Sequence, residues 1–157
     1  MPAINLVTII RAPIQRVFDL SRSIDLHQQS MLHTKEKAIA GRTTGLIDKG
    51  ETVTWQAKHL FVLRTLAVRI SEMHFPDYFK DEMIEGDFAA MQHEHHFKAI
   101  EGGTEMKDHF DFKSPYGFIG VTFNAIFLTR YMQQLLTKRN AIIKEYSETE
   151  KWKTVLL

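Results

Sequence analysis

The chain has 157 residues, of which 44% are hydrophobic and 25% charged, with 20 Lys plus Arg against 19 Asp plus Glu. That length suits a single domain spanning 1–157 with one sizeable core, and a net charge of +1 gives no electrostatic case for a nucleic-acid partner. There is no cysteine, which removes disulfides, thiolate catalysis and thiolate zinc sites together.

Ile4 to Ile10 (INLVTII) is β-branched and apolar and predicts a first strand. Pro13 suits the first turn of a helix, and Ile14, Val17 and Phe18 follow at helical spacing, so Pro13 to Ser21 is predicted as a short amphipathic helix. Ser23 or Asp25 can cap a second short helix through His27 to Ser30. From Thr34 the period changes to two. Glu36 to Ala40 is a short strand, and Gly41, Gly45 and Gly50 punctuate the loop that follows. Glu51 to Lys58 alternates Val53, Trp55 and Ala57 against polar residues, which gives a half-buried strand. Phe61 to His74, Tyr78 to Ile84, Phe88 to Ile100 and Thr104 to Lys113 read as four more strands, with turns at Pro76-Asp77, Glu85-Gly86-Asp87 and Glu101-Gly102-Gly103. Ser114-Pro115 ends the sheet. Gly117 to Glu148 has no proline and carries a helical stripe of Val121, Ala125, Leu128, Met132, Leu135, Ile142 and Tyr146. Residues 149–157 read as a loose tail.

The order is one strand, two short helices, about six antiparallel strands and one long helix. A sheet with one apolar face and a helix with a matching stripe predict an α+β domain in which the helix covers the sheet. The opening MPAINLVTII lacks the basic region and cleavage site of a secretory signal. The longest apolar run, Phe118 to Leu128, is too short for a bilayer and contains Thr122 and Asn124. A cytoplasmic protein with no membrane span is expected.

This order, with RAPIQRVFDLSRSIDLH near the start, resembles the START and pollen-allergen superfamily, also called SRPBCC or helix-grip. Members often open with a strand, an Ala-Pro pair and a Val-Phe helix, as Ala12, Pro13, Val17 and Phe18 do here. The segments GLIDKGETVTWQAKH and GGTEMKDHF are similar to those of small bacterial members. The resemblance covers Ile4 to Glu148 and implies a curved sheet of about seven strands gripping a long C-terminal helix, with a cavity between them. It further implies a cavity used for lipids, sterols, polyketides or plant hormones, and in some members a cyclase or hydrolase activity.

The segment FAAMQHEHHFKAI packs His93, His95 and His96 into four positions. Alternation puts Met91, His93, His95 and Phe97 on the inner face and His96, between Glu94 and Lys98, in solvent. Inward side chains at i and i+2 lie about 7 Å apart, so His93 and His95, with Asp108 from the next strand, could share a metal ion. The reading preferred is that they are polar spots that satisfy one another, a water or a ligand inside an apolar cavity, with a His–Asp general base next. No metal and no cofactor is expected. Glu51 is either a cavity group or a strand-end charge in water. Asp81 shares a face with Phe79 and Met83, with Glu82 the choice if the register is reversed. Arg22 either reaches the cavity or pairs with Asp19 or Asp25. His27 and His33 are placed in surface turns. Phe118, Phe123, Phe127 and Tyr131 lie off the helix stripe, to line the cavity, pack under the short helices or form a dimer face.

The expected function is binding of a small, largely apolar molecule between sheet and helix. Trp55, Met91, Phe97, Met106 and Phe110 would form the walls, and His93, His95 and Asp108 the polar end. A cyclase or dehydrase using the same polar group, with His93, His95 and Asp108 as the catalytic candidates, is the second reading. A non-catalytic interaction protein, as a homodimer through the helix, is the third.

Overall fold

The computed structural model describes residues 3–59, 61–113 and 118–157, with side chains from 126 onward in the last segment. Strand β1 (Ala3–Ile10) is followed by helices α1 (Ile14–Ser21) and α2 (Ile24–Ser30) and a single 3-10 turn, Leu32–Thr34. Strands β2 (Lys37–Gly41), β3 (Thr52–His59), β4 (Val62–His74), β5 (Tyr78–Glu85), β6 (Ala90–Ile100) and β7 (Gly103–Lys113) come next. Helix α3 (Phe118–Glu148) follows, then a 3-10 turn (Glu150–Trp152) and the short helix α4 (Lys153–Leu156). All seven strands form one curved antiparallel sheet in the order β1-β7-β6-β5-β4-β3-β2. The expected α+β class holds, with strand boundaries shifted by one or two residues. The predicted sheet stop at Ser114-Pro115 and helix start at Gly117 fall outside the described residues.

Local chemistry fixes the joints. Pro13 is extended (φ −61°, ψ 146°) immediately before α1, and Ser23 caps α2 by accepting from the Leu26 amide at 3.1 Å. At the β6–β7 hairpin Gly102 has φ +76°, and at Gly103 a Cβ would sit 2.2 Å from the Ile10 carbonyl oxygen. Only glycine lets β7 start against the end of β1 at this closeness.

Register sets which residues meet. Across the sheet, Asp81 faces His93, His93 faces Phe110 and Phe110 faces Ile4. The neighbouring row on the same face runs Phe79, His95, Asp108 and Leu6. Polar groups from three adjacent strands therefore meet on one inner face. Below them α1 inserts Phe18, fully buried, with ring centroids 5.1, 5.4 and 5.2 Å from Phe75, Phe79 and Phe97.

Helix α3 would span about 45 Å at its length. Among its described side chains, the buried ones are Leu136, Arg139, Asn140, Ile143 and Ser147. The expected stripe members Leu128, Met132, Ile142 and Tyr146 are only half-buried, and the side chains of Val121 and Ala125 lie outside those described. Leu128 and Met132, with Leu135, face the cavity, while in the C-terminal half the buried stripe is turned by about one residue, because the helix there presents polar groups to a polar patch on the sheet. The C-terminal segment also differs from expectation. Instead of a loose tail it forms the final turn and α4, capped by Thr149 accepting from the Lys151 amide. The Arg16 guanidinium lies 4.3 Å over the Trp152 ring, and Trp152, Val155 and Leu156 pack on the core. An aromatic ring and two aliphatic side chains were enough apolar surface to dock it.

Candidate functional site

Asp108, on the inner face of β7, is the hub of a buried polar cluster. Its Oδ1 accepts from His93 Nε2 at 2.8 Å, and its Oδ2 accepts from Asn140 Nδ2 of α3 at 2.7 Å. Arg139, only 5% exposed, places Nη1 3.6 Å from Asp108 Oδ1 and donates to the Asn140 side-chain oxygen at 3.0 Å and to the Ser21 carbonyl at 3.1 Å. His95 Nε2 binds Asp81 Oδ2 of β5 at 2.8 Å. The other ring nitrogen of His95, Nδ1, is 3.3 Å from Asp108 Oδ1 but makes no hydrogen bond, and it is buried. The rings are held by stacking: His95 lies between Phe79 (4.0 Å) and His93 (3.8 Å).

The electrostatics follow from this packing. Burial pushes His93 down to about 4, reinforced by the neighbouring charge of His95 and opposed only in part by Asp108. Burial would raise Asp108, but the hydrogen bond from His93, the closeness of the His95 ring and the Arg139 guanidinium outweigh it and hold the carboxyl well below the usual range. Asp81 follows the same pattern: its burial is overcome by the His95 hydrogen bond and by the charges of His95, His93 and Arg139, so it too stays low. At neutral pH His93 is a neutral ring donating Nε2–H to an ionised Asp108.

The cluster forms one end of a cavity of about 580 Å³ between sheet and α3. Val53, Trp55, Val68, Met91, Leu128, Met132 and Leu136 are among its apolar walls. Asp81, His93, His95 and Arg139 are the polar end. Arg64 and Asp87, paired at 3.3 Å and about half exposed, mark the solvent side.

Of the residues singled out from sequence, Trp55, Met91, His93, His95 and Phe110 line the cavity. Phe97, Met106 and Asp108 stand behind the wall: Phe97 packs on Phe18, Met106 is fully buried with its sulfur 3.5 Å from Ser21 Oγ, and Asp108 acts through the histidines. Asp81, not Glu82, is the inward acid of β5. Glu51 is a strand-end charge held by the Arg42 guanidinium at 2.9 Å. Arg22 lines the cavity and also pairs with Asp19 and Asp48. His33 is exposed as expected. His27 lies on α2 and is half-buried rather than in a surface turn. It lines the cavity, stacks on Trp55 at 4.2 Å and binds Glu36 at 2.8 Å, because α2 turns it beneath β3. Phe127 and Tyr131 line the cavity, and Tyr131 hydroxyl meets His59 Nδ1 at 2.7 Å. The side chains of Phe118 and Phe123 lie outside those described. Sequence reasoning missed Arg139 and Asn140. Their spacing from Leu136, Ile143 and Ser147 was the available signal.

His96 points outward, its side chain half exposed, with Glu94 Oε2 3.8 Å away. His96→Ala is expected to change unfolding free energy by no more than about 0.5 kcal/mol. A urea titration showing a loss several times larger would put His96 inside and reverse the faces of β6.

No family model matches the chain, and no curated protein matches it. Solved structures do match. A protein from Thermus thermophilus superposes with a TM-score of 0.72 at 16% identity, over 94% of this chain and 100% of that one. A ginseng major latex-like protein from Panax ginseng gives 0.67 at 12%, over 93% and 97%. Ara h 8.0201 gives 0.66 at 9%, over 90% and 97%. At such identities the likeness is one of fold: the chain has the helix-grip fold of these proteins. Among the described residues no helix is long and apolar enough to cross a membrane.

Proposed function

We propose that the protein binds a small, largely apolar molecule in the cavity, oriented by Asp81, His93, His95 and Arg139 at its polar end. The observation that supports this reading is the cavity itself. Its volume of about 580 Å³ falls in the range of sites for drug-sized ligands, and its walls are largely apolar, with the Asp81, His93, His95 and Arg139 patch at one end and the His27–Glu36 and His59–Tyr131 pairs elsewhere on the lining. The patch carries both donors and acceptors, which suits a ligand that places a polar group there on a largely apolar body.

A His–Asp pair facing a cavity is also the arrangement of a general base, which favours the cyclase or dehydrase reading as the second one. A base is most effective when its pKa lies near the working pH. His93, held at about 4, is a weak base at neutral pH, so binding is the better supported of the two.

An environment-sensitive apolar dye is expected to fluoresce with the native protein and to be displaced by fatty acids or aromatic polyketide-like compounds. A true ligand raises thermal stability by mass action, by about 2.7 kcal/mol at a hundredfold excess over Kd. Met91→Trp, which fills the cavity, is expected to fold and to lose the dye. A broad panel with neither displacement nor stabilisation would sink the binding reading and favour an interaction protein.

A further inference from the structure

We propose that Asp81, His93 and His95 form a binding site for a borderline divalent transition-metal ion, Zn²⁺ or Fe²⁺, with an open coordination position toward the cavity. The inference rests on the donor set and stands whether or not an apolar ligand binds. One ligand atom from each of the three residues lies within 4.8 Å of the others. Ligands around a tetrahedral ion with bonds near 2.1 Å sit about 3.4 Å apart. The 2.8 Å between His95 Nε2 and Asp81 Oδ2 and the 4.8 Å span of the group bracket that separation. Two imidazoles and one carboxylate are a donor set that such ions favour over Mg²⁺ or Ca²⁺.

The second observation is the orphaned nitrogen. Asp81 and Asp108 present carboxylate oxygens to both sides of the His95 ring. With Nε2 engaged by Asp81, the ring turns Nδ1 toward Asp108 Oδ1 at 3.3 Å, and Nδ1 is buried without a hydrogen-bond partner. An ion taking His95 Nε2 reverses this: the ring proton moves to Nδ1, which then faces an acceptor. His93 already has that form, with Nε2–H on Asp108 and Nδ1 left as its lone-pair nitrogen. Metal-bound histidines almost always present their second nitrogen to a carboxylate or carbonyl in this way. Asp108 would orient both rings, and Asn140 and Arg139 in turn fix Asp108. Asp81, His93 and His95 all line the cavity, so the remaining position opens onto it.

The test is titration of chelator-stripped protein with Zn²⁺ by calorimetry, and with Co²⁺ followed by its visible ligand-field bands. The expected result is one ion per chain, with Co²⁺ bands of a nitrogen–oxygen site and a raised melting temperature. His93→Ala, His95→Ala and the near-isosteric Asp81→Asn should each weaken binding more than about tenfold, and Asp108→Asn about 10–100-fold. His96→Ala should leave it unchanged. Asp81→Asn keeps shape, and its circular dichroism and melting curve establish that it is folded. The proposal is overturned if stripped wild-type protein takes up no ion. It is overturned equally if folded Asp81→Asn binds as tightly as wild type. A further contrary outcome is that ring-nitrogen NMR of the stripped protein, still indifferent to Zn²⁺, shows His95 protonated on both nitrogens. A proton would then do what the ion is proposed to do.

Discussion

Asp108→Ala is expected to lower the free energy of unfolding by about 3–5 kcal/mol, the usual consequence of removing one partner from a buried ionic network. The carboxylate is wholly buried and engages His93, Asn140 and Arg139. Its loss leaves Arg139 only the Ser21 carbonyl and the Asn140 oxygen and strands the Asn140 amide donor. It also leaves the Nε2–H of His93 without its acceptor, and unsatisfied buried donors cost about 1–3 kcal/mol each. Asp108→Asn retains an acceptor oxygen and should lose less. Urea denaturation measures both. An alanine variant whose midpoint matches wild type would mean that the cluster is solvated rather than closed by α3.

Phe18→Ala is expected to cost about 3–5 kcal/mol. Phe18 is 0% exposed and is the ring on which Phe75, Phe79 and Phe97 converge edge-on. It joins α1 to β5 and β6, so a cavity there cannot be filled without moving the helix off the sheet. Phe18→Leu should recover part of the loss. Calorimetric unfolding of the alanine variant within about 1 kcal/mol of wild type would show that the site collapses and that α1 is not fixed by this contact.

The strands were legible because a sheet with one buried face writes its geometry as alternation. Val53, Trp55 and Ala57 on β3, and Met106, Phe110 and Phe112 on β7, are buried as their spacing requires. The same rule turned His93 and His95 inward and His96 outward before any contact was known. Pairing between strands was not legible. That His95 stands opposite Asp108 and reaches diagonally to Asp81 depends on register, which the turns determine only once the chain is folded. Asp81 and Glu82 are adjacent acids, and sequence alone gives either one the inner face. Helix α3 misled for a different reason. A helix is read by its apolar stripe, but Arg139 and Asn140 face inward because Asp108 and the Ser21 carbonyl wait there. A buried arginine makes sense only when its partner's position is known.

The edges of the sheet bear on how the protein comes into being. β1 and β2 are neighbours in sequence yet occupy opposite edges, and β1 finds its partner in β7, where Ile4 meets Phe110 and Ile10 meets Thr104. During synthesis the sheet cannot be completed until β7 has left the ribosome. Throughout that interval INLVTII is an unpaired, uncharged, β-branched segment, the kind that joins other chains edge to edge. The last strand pairing is also the one with the largest loop to close, and such non-local pairing slows folding. Crowding of nascent chains before β7 pairs is therefore one point at which this architecture is exposed to aggregation.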